Sequence, residues 1–380
     1  MAGYKFHLKL MVKALINCTI YSASDLLTEK VIVCEDGIIS SITDEVPGDT
    51  GVVDLGGAHI APGLIDIQIN GGEELYFSDD PGVYALQHLY ESSLKHGATH
   101  ILPCLISSPK EKILQAIETV QTFQQTNSGV IGMHLEGPFL NPAKRGAHSA
   151  DIIRSPENVE LEEIIRYGKG AIKMITIAPE LFTDEQLDML LESGITISAG
   201  HSNMNYEQAQ YYFNKGIRLV THLYNAMTQM GHREPGIVGA VFNNEDVYAP
   251  IILDGAHCHY AAAKVAHAIK RDKLILLSDA AFLGRKKQSF DSPLLNARLI
   301  DGYYRNAEGN LAGAAISMIE AVRNAVEHLK LSLPEAIEMA TIRVARALKM
   351  EDQLGKIAKG YPASFICFDP DFNNCKTFVL

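Results

Sequence analysis

The stretch from His201 to Met227, HSNMNYEQAQYYFNKGIRLVTHLYNAM, decides the fold. A short run of small and β-branched residues precedes each of its two central histidines, His201 and His222, so each imidazole is expected at the end of a buried strand. Residues 206–215 between them have the apolar spacing of one amphipathic helix. A strand, a helix and a second strand of this length form a right-handed parallel unit. Both imidazoles are therefore predicted at the same rim of a parallel sheet, where α/β proteins do their chemistry.

The same alternation of short apolar runs and helical segments continues on both sides of this stretch. Eight such repeats over about 280 residues are what a (β/α)8 barrel requires, and we predict an α/β fold with a TIM-like barrel. A doubly wound open sheet is the alternative, but the sequence lacks a GxGxxG turn after the first strand. The eight apolar runs are residues 64–69, 99–102, 130–134, 172–177, 195–199, 219–222, 251–254 and 274–278.

The two ends of the chain have a different pattern. From residue 11 to about residue 60, short alternating strands are broken by turn signals such as Glu-Asp-Gly at 35–37. This segment is too short to bury a core by itself, and residues 351–380 again have the pattern of strands and turns. We therefore predict a small β-sandwich domain built from both termini, residues 11–60 plus 351–380, around a barrel at 61–350. No role is assigned to residues 1–10.

Composition excludes several classes of partner. The chain has 380 residues, of which 47% are hydrophobic, so it can bury a large core. Its net charge of -12 is spread along the sequence and no run of Lys and Arg is long enough to follow a phosphate backbone, which argues against nucleic acid. No apolar run reaches the ~20 residues that cross a bilayer. The six cysteines form no CxxC pair, and we expect reduced thiols and a cytoplasmic protein.

Polar side chains stand where four of the predicted barrel strands end. Glu136 follows the third strand, and His201, His222 and Asp279 follow the fifth, sixth and eighth. One carboxylate and two imidazoles, Glu136, His201 and His222, form the three-ligand set of a catalytic zinc site with one position left for water. Asp279 would face this set across the barrel mouth. Each residue alone has a simpler interpretation: an ion pair for Glu136, a helix N-cap for Asp279 and a backbone cap for either histidine.

Several longer segments carry a resemblance to a known family. The segments are APGLID at 61–66, HLEGPFLN at 134–141, KRGAH at 144–148, AGHS at 199–202, THLYNAM at 221–227 and REPG at 233–236. With these segments the sequence resembles the N-acetylglucosamine-6-phosphate deacetylases of the amidohydrolase superfamily, and the likeness covers nearly the whole chain from Met11 onward. The resemblance implies a metal-dependent barrel hydrolase, usually a homodimer, that removes acetate from N-acetyl-D-glucosamine 6-phosphate in amino-sugar catabolism.

The resemblance also implies how the substrate is bound. It places His148 against the substrate carbonyl or the sugar hydroxyls. It assigns the 6-phosphate to Asn225, Ala226, Arg233 and His257, and the planar fork of an arginine suits a phosphate group. In this family, residues of the neighbouring subunit can contribute to phosphate binding. The expected partners are therefore a small phosphorylated amino sugar and a second copy of the chain.

The chain departs from the superfamily pattern after the first barrel strand. Many amidohydrolases carry His-x-His there to hold a second metal, whereas this chain has Gln68 and Asn70. Amides are poor ligands for transition metals, so these two residues form at most a residual first-strand site. The expected cofactor is one divalent transition metal per chain, with Zn²⁺ favoured and Fe²⁺, Co²⁺ or Mn²⁺ compatible with the same ligands. Residues 278–284, SDAAFLG, are bulkier than the family pattern and are followed by Arg-Lys-Lys at 285–287, and no conformation is predicted for the 280–292 loop.

The predicted chemistry follows from the low reactivity of an acetamide towards hydrolysis. Its carbonyl is a poor electrophile and its amine a poor leaving group, so the site must supply a nucleophile, oxyanion stabilisation and a proton. Asp279, with a reference pKa of about 3.9, is suited to take a proton from water and return it to the departing nitrogen. Another amidohydrolase reaction, such as deamination, is one alternative. A sugar-phosphate-binding barrel without catalysis is a second, but it would not need all four polar groups together.

Overall fold

The computed structural model describes residues 12–22, 25–48, 50–369, 372 and 374–380. Residues 1–10 and Met11, the start of the predicted terminal domain, lie outside the described residues. Within the described part, no helix is long and apolar enough to cross a membrane. The strands are β1 Lys13–Ser22, β2 Asp25–Leu27, β3 Val31–Glu35, β4 Ile38–Thr43, β5 Gly51–Pro62, β6 Leu64–Ile69, β7 Ala98–Ile106, β8 Met133–Glu136, β9 Ile172–Ile177, β10 Thr196–Ala199, β11 Leu219–Val220, β12 Ala249–Ile252, β13 Leu274–Leu277, β14 Ser289–Asp291, β15 Asn296–Ile300, β16 Tyr303–Arg305, β17 Ser364–Phe368 and β18 Cys375–Val379. The α-helices are α1 Val83–Lys95, α2 Lys110–Gln124, α3 Asn158–Gly168, α4 Asp184–Glu192, α5 Tyr206–Lys215, α6 Gly236–Phe242, α7 Tyr260–Lys270, α8 Met318–Asn324, α9 Leu333–Met339 and α10 Ile342–Ala347.

Eight parallel strands form the predicted barrel. Strands β6 to β11 pair in chain order as one sheet, and β12 pairs with β13. Two single bridges join these sheets, Leu219 with Tyr248 and Ile69 with Ala280, so that the last strand meets the first. The prediction of a (β/α)8 barrel is confirmed.

The barrel strands are buried on both faces, which is why they appear in the sequence as continuous apolar runs. Every residue of β6 and of β7 is buried. The helices cover the outside with one apolar face each, as in α2, where Ile113, Ile117 and Val120 are buried. This frame leaves the carboxyl ends of the strands open at one rim.

Strands from both ends of the chain share one sheet. Its order is β18-β17-β5-β1-β3-β4, with β2 on β1. Strand β5 pairs parallel with β1 and antiparallel with β17, which joins the N-terminal and C-terminal strands. Gly63 links β5 directly to β6, and a Cβ there would lie 1.9 Å from Thr99 Oγ1, so this close approach requires glycine. The predicted domain boundary at residue 60 falls within this extended segment and stays a prediction.

A three-stranded antiparallel sheet, β14-β15-β16, is inserted after the last barrel strand. Its first strand, β14, lies in the 280–292 segment for which the sequence predicted no conformation, and β15 and β16 follow that segment. Aromatic residues pack this sheet against the barrel. Tyr304 is fully buried, and its ring centroid lies 5.5 Å from that of Phe282. The ring centroid of Phe290 lies 5.0 Å from that of Tyr76. The bulky residues after Asp279 therefore form a small apolar core that supports one side of the barrel mouth.

Candidate active site

Two of the predicted metal ligands and the predicted catalytic residue have the left-handed backbone conformation. His201, His222 and Asp279 each lie two residues after the end of a barrel strand, with φ values of 49°, 31° and 47°. For a residue with a Cβ this conformation costs roughly 1–2 kcal/mol, and such strain is concentrated at functional sites. Backbone N–H groups of surrounding loops hold the carbonyls of these three residues. The donors are Asn141 for His201 at 2.9 Å, Asn225 for His222 at 2.9 Å and Ala314 for Asp279 at 2.7 Å.

The structure brings Glu136, His201 and His222 together at the rim. Glu136 Oε1 lies 3.2 Å from Nε2 of His201 and 3.2 Å from Nε2 of His222. All three side chains are buried. Three ligand-type atoms thus converge from three strand ends, as the sequence predicted.

The orientation of the His201 ring suits a metal ligand. His201 Nδ1 lies 2.9 Å from the backbone carbonyl oxygen of Lys144. A carbonyl oxygen only accepts hydrogen bonds, so Nδ1 is the donor in this contact and Nε2 is the nitrogen directed at Glu136 Oε1. Nε2 and Oε1 lie 3.2 Å apart, so both can contact one cation. The donor set of one carboxylate and two imidazoles matches a divalent transition metal.

His148 lies close enough to be an alternative ligand. One donor atom each from Glu136, His148 and His201 lie within 4.8 Å of one another. His148 Nε2 is 3.7 Å from Glu136 Oε2, against 3.2 Å for the His222 contact. Its Nδ1 is 2.9 Å from Ser107 Oγ. Burial, and then the neighbouring His201, lower the pKa of His148 to about 3. A neutral imidazole on a loop is suited to contact a substrate carbonyl, and the shorter contact at a strand end favours His222 in the ligand set.

Asp279 lies beside this group and is also buried. Burial, and then the charge of Glu136, raise the pKa of Asp279 to about 6. A carboxyl group with its pKa close to neutral is suited to both accept and return a proton.

The two amides of the first strand lie between the carboxylates. Gln68 Nε2 donates to Glu136 Oε1 at 3.0 Å and to Asp279 Oδ1 at 3.1 Å. Asn70 Nδ2 donates to Asp279 Oδ1 at 2.8 Å. Among the described residues, the amide oxygens of Gln68 and Asn70 are buried without a hydrogen-bond partner. The N–H groups thus offset part of the negative charge of the two carboxylates, and the residual first-strand metal site stays a prediction.

Except for Gln68, these groups line one cavity of about 550 Å³, a volume typical of small-molecule sites. Asn225, Ala226 and His257 also line it. His257 Nδ1 lies 2.7 Å from Asp254 Oδ2, so Asp254 fixes the ring and leaves Nε2 free to face the cavity. Arg233 is exposed and lies outside the cavity lining of its own chain. The structure therefore brings together every predicted site residue that it describes except Arg233.

Several lining residues were not predicted from the sequence. Arg145 and Glu308 line the cavity and form a two-point ion pair, with N–O distances of 2.8 and 3.0 Å. Arg145 also donates to the carbonyl oxygen of His148 at 3.0 Å. Residues 311–313 close the same side of the cavity. These residues lie on irregular loops, where hydrophobic periodicity does not indicate which residues are functional. The segment KRGAH at 144–148 was the only sequence feature that indicated this part of the site, and only His148 was predicted from it.

Comparisons with known proteins show which families and structures this chain is similar to. The Amidohydrolase family model matches residues 59–379, and the NagA composite domain model matches residues 13–60. The chain is 35% identical over 376 residues to N-acetylglucosamine-6-phosphate deacetylase of Haemophilus influenzae, covering 97% of this chain and 98% of that protein. It is 36% identical to N-acetylgalactosamine-6-phosphate deacetylase of Shewanella sp. over 346 residues, 90% of this chain and 86% of the relative. The solved structure of N-acetylglucosamine-6-phosphate deacetylase from Pasteurella multocida matches with a TM-score of 0.92 at 34% identity, over 97% of this chain and 98% of that one.

Proposed function

We propose, from the premise that this chain belongs to the amidohydrolase family, that it hydrolyses the acetamide of N-acetyl-D-glucosamine 6-phosphate to glucosamine 6-phosphate and acetate. The observation that carries the proposal is the convergence of the buried side chains of Glu136, His201, His222 and Asp279 in one cavity. A deaminase or another amide hydrolase would use a similar rim. The high similarity to deacetylases over nearly the whole chain favours the acetyl sugar.

The proposed mechanism assigns the metal to Glu136, His201 and His222. A divalent ion held there would lower the pKa of the attacking water and polarise the amide carbonyl. Asp279 takes the proton of the attacking water and returns it to the departing nitrogen, which turns a poor leaving group into a neutral amine. His148, neutral because its pKa is about 3, donates from Nε2 to the carbonyl oxygen. Zinc is the proposed ion, with Fe²⁺, Co²⁺ and Mn²⁺ as alternatives.

The proposed phosphate site lies on the other side of the cavity. His257, Asn225 and the backbone near Ala226 line it, and the protein as a whole is acidic, so an anion must be caught by such local donors. Arg233 is exposed on a loop next to Met230, which is 60% exposed. We propose that this loop packs against a second copy of the chain and that Arg233 reaches the phosphate in the partner's cavity. The proposed assembly is a homodimer in the cytoplasm, where its six unpaired cysteines stay reduced.

N-acetylgalactosamine 6-phosphate is the second candidate substrate, because one relative at 36% identity is a deacetylase named for that sugar. The two sugars differ only in the orientation of one hydroxyl group. Acetate release from both phosphates and from their unphosphorylated forms separates the candidates. We expect the highest kcat/KM for the gluco phosphate. A higher value for the galacto phosphate would assign the second function, and acetate release from neither would reject both.

The first prediction concerns the metal content. Gln68 and Asn70 replace imidazoles and use their N–H groups on the carboxylates, so a second transition metal has no adequate ligand set. Elemental analysis of the purified protein should give close to one transition metal ion per chain. Two tightly bound ions per chain would contradict the single-metal site.

The second prediction concerns Arg233. A charge-assisted hydrogen bond contributes about 1.5–3 kcal/mol, so Arg233→Ala should raise KM for the phosphorylated sugar roughly 10-fold to 150-fold. Turnover of unphosphorylated N-acetylglucosamine should hardly change. Arg298→Ala is the matched control, since Arg298 is exposed and pairs with Asp291, and neither residue lines the cavity. No change in KM for the phosphorylated sugar would remove Arg233 from the site, and an equal loss on both sugars would indicate a structural role.

A further inference from the structure

One buried acidic residue has no part in the proposed mechanism. Asp66 ends the APGLID segment, lies in β6 and is 1% exposed. Its carboxylate accepts three hydrogen bonds: at Oδ1 from the backbone N–H groups of Gln68 at 3.3 Å and Ser278 at 3.2 Å, and at Oδ2 from Ser278 Oγ at 2.5 Å. A carboxylate without a partner of opposite charge is expensive to bury. Burial raises the pKa of Asp66 to about 7 despite these hydrogen bonds. Such a residue needs a reason beyond filling space.

The contacts of Asp66 lie at the seam of the barrel. Strand β6 is the first barrel strand and β13 the last, and they meet through a single bridge between Ile69 and Ala280. At this seam the backbone N–H of Asp279 donates to the carbonyl of Gln68 at 2.9 Å. The residue at the centre of the seam is therefore Asp279, the proposed proton carrier.

Asp66 and Ser278 hold the chain on both sides of Asp279. Ser278, one residue before it, binds Asp66 through both its backbone N–H and its hydroxyl. Ser278 Oγ in turn accepts the backbone N–H of Ala280, one residue after it, at 3.1 Å. A residue that is anchored on both sides cannot rotate freely about its backbone, and Asp279 has φ of 47°, a conformation that costs free energy in a residue with a Cβ.

We propose that Asp66 is a positioning residue for the deacetylation: through the hydroxyl of Ser278 it holds Asp279 in the left-handed conformation that directs the Asp279 carboxylate at the reacting amide. This inference rests on the proposed function, because Asp279 is the proton carrier only in that reaction. A hydroxyl group is required at 278 because it must donate to Asp66 and accept from Ala280 at the same time. A carboxylate is required at 66 because it must accept from three donors.

Two variants test this role. Ser278→Ala removes one hydroxyl group, and Asp66→Asn replaces one acceptor oxygen by a donor. Each should lower kcat about 10-fold to 100-fold, the effect of a misplaced reacting group, while KM and the bound metal stay within twofold of the wild type. Ser93→Ala is the matched control, since Ser93 is equally buried and donates to Leu89 within α1. An unchanged kcat in Ser278→Ala would overturn the proposal, as would a loss of metal in both variants.

A double variant separates positioning from general stability. When Asp279 is already Asn, a residue that acts through its carboxylate has nothing left to position. Ser278→Ala alone should lower the kcat of the wild type at least tenfold. Added to Asp279→Asn, the same change should lower the residual kcat by less than twofold. Equal fold losses in both backgrounds would assign Asp66 and Ser278 a structural role and reject the proposal.

A crystal structure of Ser278→Ala gives a test that does not need activity. The backbone of residue 279 should leave the positive-φ region or show two conformations, while Glu136, His201 and His222 stay in place. An unchanged φ near 47° would overturn the inference. If the wild type releases no acetate from any sugar phosphate, the proposed function fails, and this structural comparison still tests whether Asp66 holds Asp279.

Discussion

Asp279→Asn is expected to lower kcat at least ~100-fold without loss of the metal ion or of substrate affinity, because positioned acid-base catalysis contributes about that much. Asparagine keeps the size of the side chain and tolerates the positive φ of this position. It cannot accept a proton from water or return one to the amine. Steady-state kinetics with N-acetylglucosamine 6-phosphate, together with metal analysis, measure all three quantities on the same sample.

Asp301→Asn is the matched control for this variant. Asp301 also has a positive φ, 51°, but it is exposed and lies outside the cavity that contains Asp279. Its kcat should equal that of the wild type. An Asp279→Asn protein that retains more than a tenth of the wild-type kcat would show that the proton is carried by another group.

His201→Asn and His222→Asn are expected to abolish metal binding and activity together. Each change leaves Glu136 and one imidazole, and two protein ligands hold a transition metal poorly. Metal content should fall from one ion per chain towards zero, and acetate release should fall by more than the ~100-fold expected for loss of the proton carrier. Excess Zn²⁺ should restore only a small part of the activity. Metal analysis after dialysis and the acetate assay give the two measurements.

Two further histidine variants make this prediction specific. His148→Asn should keep the ion and lose activity through weaker contact with the substrate carbonyl. His259→Asn should behave like the wild type, since His259 is exposed and caps α7, a position where asparagine serves equally well. If His148→Asn loses the ion while His222→Asn retains it, the ligand set is Glu136, His148 and His201, and our assignment of His222 is wrong.

The barrel could be predicted because its strands are buried on both faces and therefore stand out as apolar runs. Two of the eight runs, 64–69 and 172–177, coincide with the strands β6 and β9. The predicted run at 219–222 ends two residues late, because His222 has φ of 31° and leaves the strand conformation. The apolar pattern indicates which residues are buried, but it does not indicate where the backbone turns to direct a functional side chain into the site.

The site was predictable where polar residues interrupt this pattern at strand ends. Glu136, His201, His222 and Asp279 were found in this way, and the structure places all four at one rim. The loops across the cavity were not, because the pair of Arg145 with Glu308 joins positions 163 residues apart without any local signal. The inserted sheet of strands β14 to β16 was missed for a different reason: its strands have three to five residues, too few to establish a period.

The position of Arg233 shows what cannot be inferred about the site from the structure of a single chain. Resemblance assigned it to the phosphate, while the structure places it on an exposed loop outside its own cavity. A contact made in a partner's cavity depends on the assembly, and neither the sequence pattern nor the fold of one chain contains it. The Arg233→Ala kinetics on both sugars therefore test the proposed dimer as well as the residue.

The most direct test of the central proposal is acetate release from N-acetylglucosamine 6-phosphate by protein that has been stripped with a chelator and then titrated with Zn²⁺. Stripped protein should release no acetate above the background rate, and activity should rise linearly with added Zn²⁺ and level off at one equivalent per chain. Glucosamine 6-phosphate should appear in the same amount as acetate. Full activity without metal, a plateau at two equivalents, or release of ammonia or inorganic phosphate in place of acetate would contradict a single-metal deacetylase.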